Sequence, residues 1–301
     1  INSSLMVGTA DSSTLPTYQT KYGAGYGPYY ASDDGYFDRE DVNGDGVVDD
    51  VVPFYEDASY GGAYDANRLV YQWNSIYPQL PDTYHKPTPW VMAEHDPNSF
   101  FQNSSTMVNS VSLDGGSDKA TFRLGVTNFD QHGNLPNSQI KRNTINFAGS
   151  LNLADNLTAT TTFTYTKTDG KGRYGTGYDS KNPMQQFRQW YQLNVDIEEQ
   201  RQAYMDTGEN ITWNANAYDN PTPIFSDNPY WTRFENYETD TRNRFIGSLA
   251  LNWEMNDWLS VLGRFSFDTY GELQEERINV GSADVSQYTR YNNNVASYNY
   301  D

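Results

Sequence analysis

The chain has 301 residues, of which 37% are hydrophobic and 15% aromatic, and its 20 basic and 39 acidic residues give a formal net charge of −19 at pH 7. The aromatic content excludes a disordered chain, because disordered segments are depleted in aromatic residues. The negative charge excludes a nucleic-acid-binding protein, because it repels the phosphate backbone. Because the chain has no cysteine, it has no disulfide framework, no zinc ribbon and no thiol nucleophile. Its three histidines leave little material for a histidine metal site.

A segment rich in Asp, Asn and Gly, at 41–49, matches the first nine positions of an EF-hand-type calcium loop. In such a loop, oxygen ligands at positions 1, 3, 5 and 9 and a backbone carbonyl at position 7 converge on one hard cation, and a glycine at position 6 permits the sharp turn. The predicted calcium ligands are Asp41, Asn43, Asp45, the carbonyl of Val47, and Asp49.

This match stops short of a complete EF-hand. Position 12, where an EF-hand has a bidentate Glu, is Val52 in this chain, so that Asp49, Asp50 or Glu56 would have to complete the ligand set. The alternative interpretation is a solvated turn that binds no metal. For a bound calcium ion we expect a structural role, in which it holds together a loop of otherwise repelling carboxylates.

Six segments further along the chain alternate apolar and polar residues with a period of two, which is typical of β-strands with one apolar and one polar face. They are 105–114, 119–129, 142–154, 157–168, 243–255 and 259–269. Sandwich strands average about 5–6 residues, whereas strands that cross an outer membrane need about 9–11. The lengths therefore favour a transmembrane barrel, although no apolar run is long enough for a transmembrane helix.

Short and long connections alternate between these segments without exception. The tight turns lie at 115–118, 155–156 and 256–257, and the long connections span about 131–141, 169–240 and 271–297. Outer-membrane barrels have the same alternation, with tight periplasmic turns and long extracellular loops. We therefore predict an all-β fold that is part of a large antiparallel transmembrane β-barrel. Six or seven strands are too few to close one, which indicates an excerpt of a longer polypeptide.

This interpretation divides the chain into five parts. An extracellular loop region with the calcium loop occupies 1–104, four barrel strands occupy 105–168, a long extracellular loop with a short helix occupies 169–240, a barrel hairpin occupies 241–272, and a further loop with the start of the next strand occupies 273–301. The composition of 183–204 predicts that helix, on the surface of the long loop.

Several motifs resemble those of a known family. The segment 100–124, with its Gly-Gly-Ser-Asp-Lys turn, resembles a barrel hairpin of SusC/RagA-type TonB-dependent outer-membrane transporters, and 130–137 with 141–144 resembles the loop and strand that follow it in that family. Later motifs at 228–231, 241–244 and 257–260 resemble another hairpin. At 59–61 the chain reads Ser-Tyr-Gly, where the family commonly has Ser-Trp-Gly.

The resemblance implies a 22-stranded barrel, roughly the size of known outer-membrane transporters, with an internal plug. It also implies a location in the bacterial outer membrane, energy supplied through TonB, and a SusD-like surface lipoprotein as partner. The implied function is import of an oligosaccharide or an oligopeptide, without enzymatic activity. The plug and the TonB box are not part of the sequence at hand.

Aromatic residues of the long loops are candidates for substrate binding, because sugar rings and peptide side chains both stack on aromatic faces. The predicted substrate-binding residues are Trp73, Trp90, Trp190, Trp213 and Trp231. The alternative interpretation is that these rings form the core of the loops or the interface with the lipoprotein.

Two other functions stay open at this point. One is a structural barrel subunit of a larger outer-membrane assembly. The other is a secreted, calcium-stabilised β-sandwich that binds carbohydrate. The sequence does not distinguish a sugar from a peptide as cargo, because loop shape determines which of them binds.

Overall fold

The computed structural model describes residues 1–173, 175, 177, 182–236 and 238–283, and the backbone of 297–300. The strands are β1 (Asn2–Gly8), β2 (Asp38–Glu40), β3 (Asp49–Val51), β4 (Asp65–Val70), β5 (Thr88–Trp90), β6 (Ser104–Gly116), β7 (Ala120–His132), β8 (Gln139–Ala154), β9 (Leu157–Lys171), β10 (Ala215–Ala217), β11 (Asn220–Pro223), β12 (Glu238–Asn256), β13 (Leu259–Arg277) and β14 (Ser297–Tyr300). The helices are α1 (Pro183–Gln189), α2 (Ile197–Thr207) and α3 (Pro229–Phe234).

Eight strands form one antiparallel sheet in the order β1-β6-β7-β8-β9-β12-β13-β14. All six alternating segments are strands of this sheet, so the prediction of an antiparallel β-fold is confirmed. The described strands leave the sheet open, with β1 at one edge and β14 at the other. Strand β1 was missed because its apolar residues Leu5, Met6 and Val7 are consecutive and do not alternate with polar ones.

The strands run longer than their alternation indicated. For example, β12 and β13 each have 19 residues, because polar residues beyond the apolar stretch continue the ladder. The tight turn at 155–156 falls where the sequence placed it, whereas the other two lie one or two residues later than predicted, at 117–119 and 257–258, because Gly115, Gly116 and Asn256 still belong to strands. At the β12–β13 turn, the Asn256 side chain accepts hydrogen bonds from the backbone N–H groups of Trp258 and Leu259, at 3.2 and 3.0 Å.

The register of the sheet gathers its apolar side chains on one face. Four rings stack in a row across β8, β9, β12 and β13, with centroids 5.2 to 5.8 Å apart. These rings belong to Phe147, Phe163, Phe245 and Phe267. The opposite face carries Thr, Ser and Asn side chains and an ion pair between Arg244 and Asp268. In the described part of the chain, no residue of the long strands β6–β9, β12 and β13 belongs to the hydrophobic core.

The core lies instead in the segments that connect the strands. We call the described residues of 9–103, 182–236 and 278–283 the loop body. Its largest fully buried side chains are aromatic and aliphatic, with buried glutamines among them. Buried amides hold its irregular backbone: Asn214 donates to the carbonyls of Phe54 and Glu56, and Gln192 donates to those of Pro53 and Glu56.

The predicted surface helix over 183–204 was wrong in two respects. The segment forms two helices, α1 and α2, since the chain leaves the helical conformation at Trp190 and re-enters it after Asp196. The Asp196 carboxylate caps α2 by accepting from the backbone N–H groups of Glu198 and Glu199. Both helices bury one side, including Phe187 and Ile197, in the loop body. Among the described residues, no helix has the length and apolar character needed to cross a membrane.

Candidate functional site

The predicted calcium loop connects the paired strands β2 and β3. The Asp41 carboxylate lies at its centre and accepts three backbone hydrogen bonds, from Gly44 and Asp45 through Oδ1 at 2.9 and 3.1 Å and from Gly46 through Oδ2 at 2.9 Å. Gly44 and Gly46 have φ angles of 75° and 87°, a region that favours glycine. The sequence therefore folds locally into a tight turn around one carboxylate.

The other predicted ligands line the same turn. Asn43 Oδ1 accepts from the backbone N–H of Asp45 at 3.0 Å, and Asp45 Oδ1 accepts from that of Val47 at 2.8 Å. Burial, together with the negative charges of Asp45 and Asp41, raises the pKa of Asp49. The loop thus brings three carboxylates within electrostatic reach of one another, and a cation would relieve their repulsion.

The carboxylates proposed to complete the ligand set differ in their surroundings. Asp50 is bound by Arg39 at 2.9 Å and by Arg68 at 2.7 Å, and Glu56 accepts from the Tyr30 hydroxyl at 2.9 Å. Because Asp50 and Glu56 already bind other side chains, Asp49 is the better candidate of the three for completing the ligand set of the loop.

The chemistry of the donors fits a hard cation such as calcium, which prefers carboxylate, amide and carbonyl oxygens. Within the described ranges, no group of three His, Cys, Asp or Glu side chains is arranged to hold a metal. At this loop the donor set would accordingly combine the Asp41 and Asp45 carboxylates with the Asn43 amide and the Val47 carbonyl.

Four of the five predicted substrate-binding tryptophans are buried: Trp73, Trp90, Trp213 and Trp231. Trp90 donates from Nε1 to the Gly62 carbonyl at 3.2 Å, and Trp231 from Nε1 to Ser282 Oγ at 2.9 Å. The burial of these four rings favours the alternative interpretation, in which they form the core of the loops. Trp190 is half-buried at the end of α1.

The exposed aromatic residues of the loop body include several tyrosines that no sequence motif marked. Tyr60 is 71% and Tyr29 66% exposed. The Tyr60 ring stacks on that of Tyr26, with centroids 6.1 Å apart and planes inclined by 27°. The density of tyrosines in 22–36 is visible in the sequence, but nothing there separates exposed rings from buried ones.

A cleft of about 270 Å³ lies beside Tyr60. Its floor is formed by the buried residues Phe187, Tyr191 and Leu193, and its rim includes Gln19, Arg188 and Gln189. We call it the Tyr60 cleft.

A second cleft, of about 520 Å³, lies where the polar face of the sheet meets the loop body. Arg173 reaches three carboxylates there: Glu238 at 2.5 Å, Glu276 at 3.4 Å and Asp240 at 3.8 Å. This ion network joins the end of β9 to β12 and β13.

Next to this cleft, Arg233 ties the loop body to the sheet. Its buried guanidinium donates to the carbonyls of Pro136 at 2.9 Å and Gly172 at 2.6 Å. Burial lowers the pKa of Arg233 to about 10. The residue is therefore still a cation at neutral pH, and it holds α3 against two strand ends.

No protein-family model and no curated protein matches this chain. The resemblance to SusC/RagA transporters therefore depends on the motifs quoted above.

Proposed function

We propose that this chain is part of a TonB-dependent outer-membrane importer of oligomeric nutrients, of the SusC/RagA type, and that it is not an enzyme. The observation that carries the proposal is the sheet of long strands with one apolar and one polar face, whose apolar face the described residues leave uncovered. In this proposal the apolar face contacts lipid, the polar face lines the lumen of a 22-stranded barrel, and the loop body lies outside the cell.

The position of the core supports a lipid-facing sheet. Side chains such as Leu249, Val126 and Phe265 are exposed on the apolar face. Soluble monomers rarely expose contiguous apolar patches larger than about 300–600 Å², and this face extends over six long strands. A hydrocarbon environment would cover it without further protein.

The dimensions of the strands support the same proposal. Strands β6 to β9 have 13 to 16 residues, and about 9–11 tilted residues cross a bilayer. The excess would extend above the membrane into the loop body. Trp253 lies near one end of the apolar face, opposite Val261, where outer-membrane barrels have an aromatic girdle.

We also propose that calcium binds the 41–49 loop in a structural role. Asp41, Asn43 and Asp45, with the carbonyl of Val47, would hold the ion, and Asp49 lies close enough to add its charge. A bound cation would fix the β2–β3 hairpin by removing the repulsion between carboxylates. Arg39 already joins the two strands of this hairpin through Asp50, and Arg68 of β4 binds the same carboxylate.

The partners follow from the resemblance and belong to the same proposal. A SusD-like lipoprotein would cover the loop body, TonB would supply energy through parts outside this sequence, and the cargo would be an oligosaccharide or an oligopeptide. A secreted β-sandwich is less compatible with the observations, because it would have to bury the apolar face beneath a second sheet.

The test is fractionation of cells that express the parent protein, with an antibody raised against the loop body. We expect the protein only in the detergent-extracted outer-membrane fraction, where it co-purifies with a lipoprotein. We also expect deletion of its gene to abolish growth on an oligomeric nutrient but not on the corresponding monomer. A protein found in the soluble fraction without detergent would overturn the proposal. Membrane extraction without a growth defect would favour the structural barrel subunit.

A further inference from the structure

We propose that Asn43-Gly44 is a spontaneous modification site, at which the Asn43 amide converts to aspartate and isoaspartate through a cyclic succinimide. The inference goes beyond the proposed function, because the reaction needs neither a membrane nor a bound metal. Asn43-Gly44 is the one Asn-Gly pair in the sequence. Both residues are exposed, so the water that the reaction consumes has access to them.

The reaction has two steps, in which no atom is oxidised or reduced. In the first, the backbone nitrogen of Gly44 attacks the side-chain carbon Cγ of Asn43, forms a new N–C bond and loses its proton. The C–N bond of the side-chain amide breaks, and its nitrogen leaves as ammonia with the proton that Gly44 has lost. In the second step, one water molecule opens the succinimide at either of its two carbonyl carbons, which gives aspartate or isoaspartate.

The hydrogen bonds of the loop place a suitable group beside each atom that reacts in the first step. The Gly44 N–H donates to Asp41 Oδ1 at 2.9 Å, so a carboxylate base lies where the proton leaves the attacking nitrogen. Asn43 Oδ1, on which negative charge develops, accepts from the backbone N–H of Asp45 at 3.0 Å, as in an oxyanion hole. The leaving nitrogen, Asn43 Nδ2, donates to Asp45 Oδ2 at 3.0 Å. The base and the oxyanion donor are therefore in place before the reaction begins.

The residue after Asn43 has no side chain to shield its backbone nitrogen. The surroundings of Gly44 are also open, since a Cβ atom there would meet nothing within 4 Å. Asn67 offers a contrast within the same chain: it is exposed and its amide donates to the Asp65 carboxylate at 3.1 Å, but the residue that follows it is Arg68, whose side chain crowds the attacking nitrogen. We therefore expect Asn67 to remain an amide.

The next two residues of the loop repeat the geometry with a poorer electrophile. The Gly46 N–H donates to Asp41 Oδ2 at 2.9 Å, and Asp45 Oδ1 accepts from the backbone N–H of Val47 at 2.8 Å. A carboxylate resists attack by a nucleophile because it already carries negative charge. The amide at 43 should therefore react well before the carboxylate at 45, which serves as a control inside the loop.

The two products change the loop in different ways. Aspartate at 43 adds one negative charge beside Asp41 and Asp45, and it completes a set of carboxylates at positions 1, 3 and 5 of the calcium-loop pattern. Isoaspartate lengthens the backbone by one carbon and so displaces the N–H groups that bind Asp41. If the proposed calcium site exists, the first product should bind the ion more tightly and the second more weakly.

The experiment is incubation of the detergent-solubilised parent protein with a chelator at neutral pH, followed by mass spectrometry of the peptide that contains 41–49. Enzymatic methylation of the isoaspartate carboxylate distinguishes the two products. We expect both to accumulate at 43 faster than in a synthetic peptide of 38–51, which has the same sequence without the fold. Over the same time Asn67 should stay an amide and Asp45 should stay unisomerised.

The base is tested by Asp41→Asn, which should lower the rate constant by at least about tenfold, since general acid–base catalysis contributes about 10²–10⁴-fold. A variant whose loop unfolds should react no faster than the peptide, so the expected direction is the same whether or not the loop folds. Asp33→Asn is the matched control, because Asp33 is exposed and lies outside the loop; it should leave the rate unchanged.

The proposal is overturned if Asn43 stays an amide in the parent, if the parent reacts no faster than the peptide, or if Asp41→Asn reacts as fast as the parent. These outcomes are separable from the proposed function. Calcium bound at Asp41 would compete with its role as a base, so added calcium should slow the reaction. Deamidation at the same rate with calcium and with chelator would support the modification site and reject only the metal site, and deamidation of a soluble protein would reject only the importer.

Discussion

The sheet and the loop body use the same residue types in opposite ways. In the sheet, leucines, valines and phenylalanines are exposed on one face and the backbone ladder supplies the order. In the loop body, aromatic rings are buried and the backbone follows irregular paths fixed by side-chain amides such as Asn214. An apolar side chain is therefore stabilised by whichever apolar medium surrounds it. In the loop body this medium is protein, and at the sheet, in our proposal, it is lipid.

The largest expected effect is on the loop body alone. Trp213→Ala removes a fully buried ring that contacts Tyr191 at a centroid distance of 5.0 Å, and such truncations cost about 3–5 kcal/mol. We expect amides of the loop body to lose protection in hydrogen exchange while those of β8 and β9 keep theirs. Phe225→Ala, at an exposed site in the same region, should change stability by less than about 0.5 kcal/mol. An equal loss of amide protection in the loop body and in the sheet would show that the two regions unfold together.

The next effect distinguishes the two faces of the sheet. Leu249 lies on the apolar face and Leu262 on the polar face, and they are 47% and 59% exposed. Arginine on the lipid face of a barrel costs about 2–4 kcal/mol near the bilayer centre. We therefore expect Leu249→Arg to lower folding yield in vesicles strongly and Leu262→Arg to lower it little. Equal effects of the two substitutions would contradict a lipid-facing apolar side.

Calcium should stabilise the loop body. Binding to the folded state at 100 times the dissociation constant contributes about 2.7 kcal/mol, so chelation should lower the thermal midpoint of the loop body. Asp45→Asn should abolish this difference, while Asp33→Asn, at an exposed residue outside the loop, should preserve it. A midpoint that is the same with calcium and with chelator would reject the metal site.

A smaller contrast comes from two glycines. A Cβ atom on Gly61 would lie 1.8 Å from the Ala24 carbonyl oxygen, whereas one on Gly263 would meet nothing within 4 Å. Overpacking costs about 1–3 kcal/mol, and the first contact is with backbone, which yields less readily than a side chain. We expect Gly61→Ala to destabilise the loop body in chemical denaturation and Gly263→Ala to leave the sheet unchanged or slightly more stable. Similar behaviour of the two variants would contradict the close packing at Gly61.

The smallest effect depends on pH. His95 lies 3.1 Å from Asp196, the residue that caps α2, and a hydrogen bond to this carboxylate and its charge raise the pKa of His95. Its contribution to stability is therefore full below the ordinary pKa of about 6.5 and is lost as the pH rises through the raised value. The thermal midpoints of the parent and of His95→Gln should differ at acidic pH and converge at alkaline pH. A difference that grows with pH would have the wrong sign.

The sheet was predictable from the sequence because its signal is local. A period of two over ten or more residues fixes both the strand and its faces, and the Gly, Asn and Asp residues at 115–118, 155–156 and 256–257 mark where the chain turns to within about two residues. Strand β1 was missed because its apolar residues are consecutive, and the C-terminal end of β13 was missed because polar residues continue its ladder.

The loop body was much less predictable, for a physical reason. Its core is assembled from segments far apart in the sequence, and a tryptophan has the same local pattern whether it is buried or exposed. Trp90 is buried because Phe37 and Tyr64 close around it, contacts that no local period encodes. The calcium-loop pattern at 41–49 was visible in the sequence because all of its residues are close together in the chain. The Tyr60 cleft was not visible, because it depends on the contact between Ser59 and 191–193.

The most direct test of the central claim uses the absence of cysteine from the chain. Phe265 and Ser266 are exposed neighbours on opposite faces of β13, so Phe265→Cys and Ser266→Cys each introduce a single site for a nitroxide spin label. In vesicles, we predict that oxygen dissolved in lipid relaxes the label at 265, whereas a water-soluble nickel complex relaxes the label at 266. Relaxation of both labels by the nickel complex alone would contradict a sheet with one face in lipid.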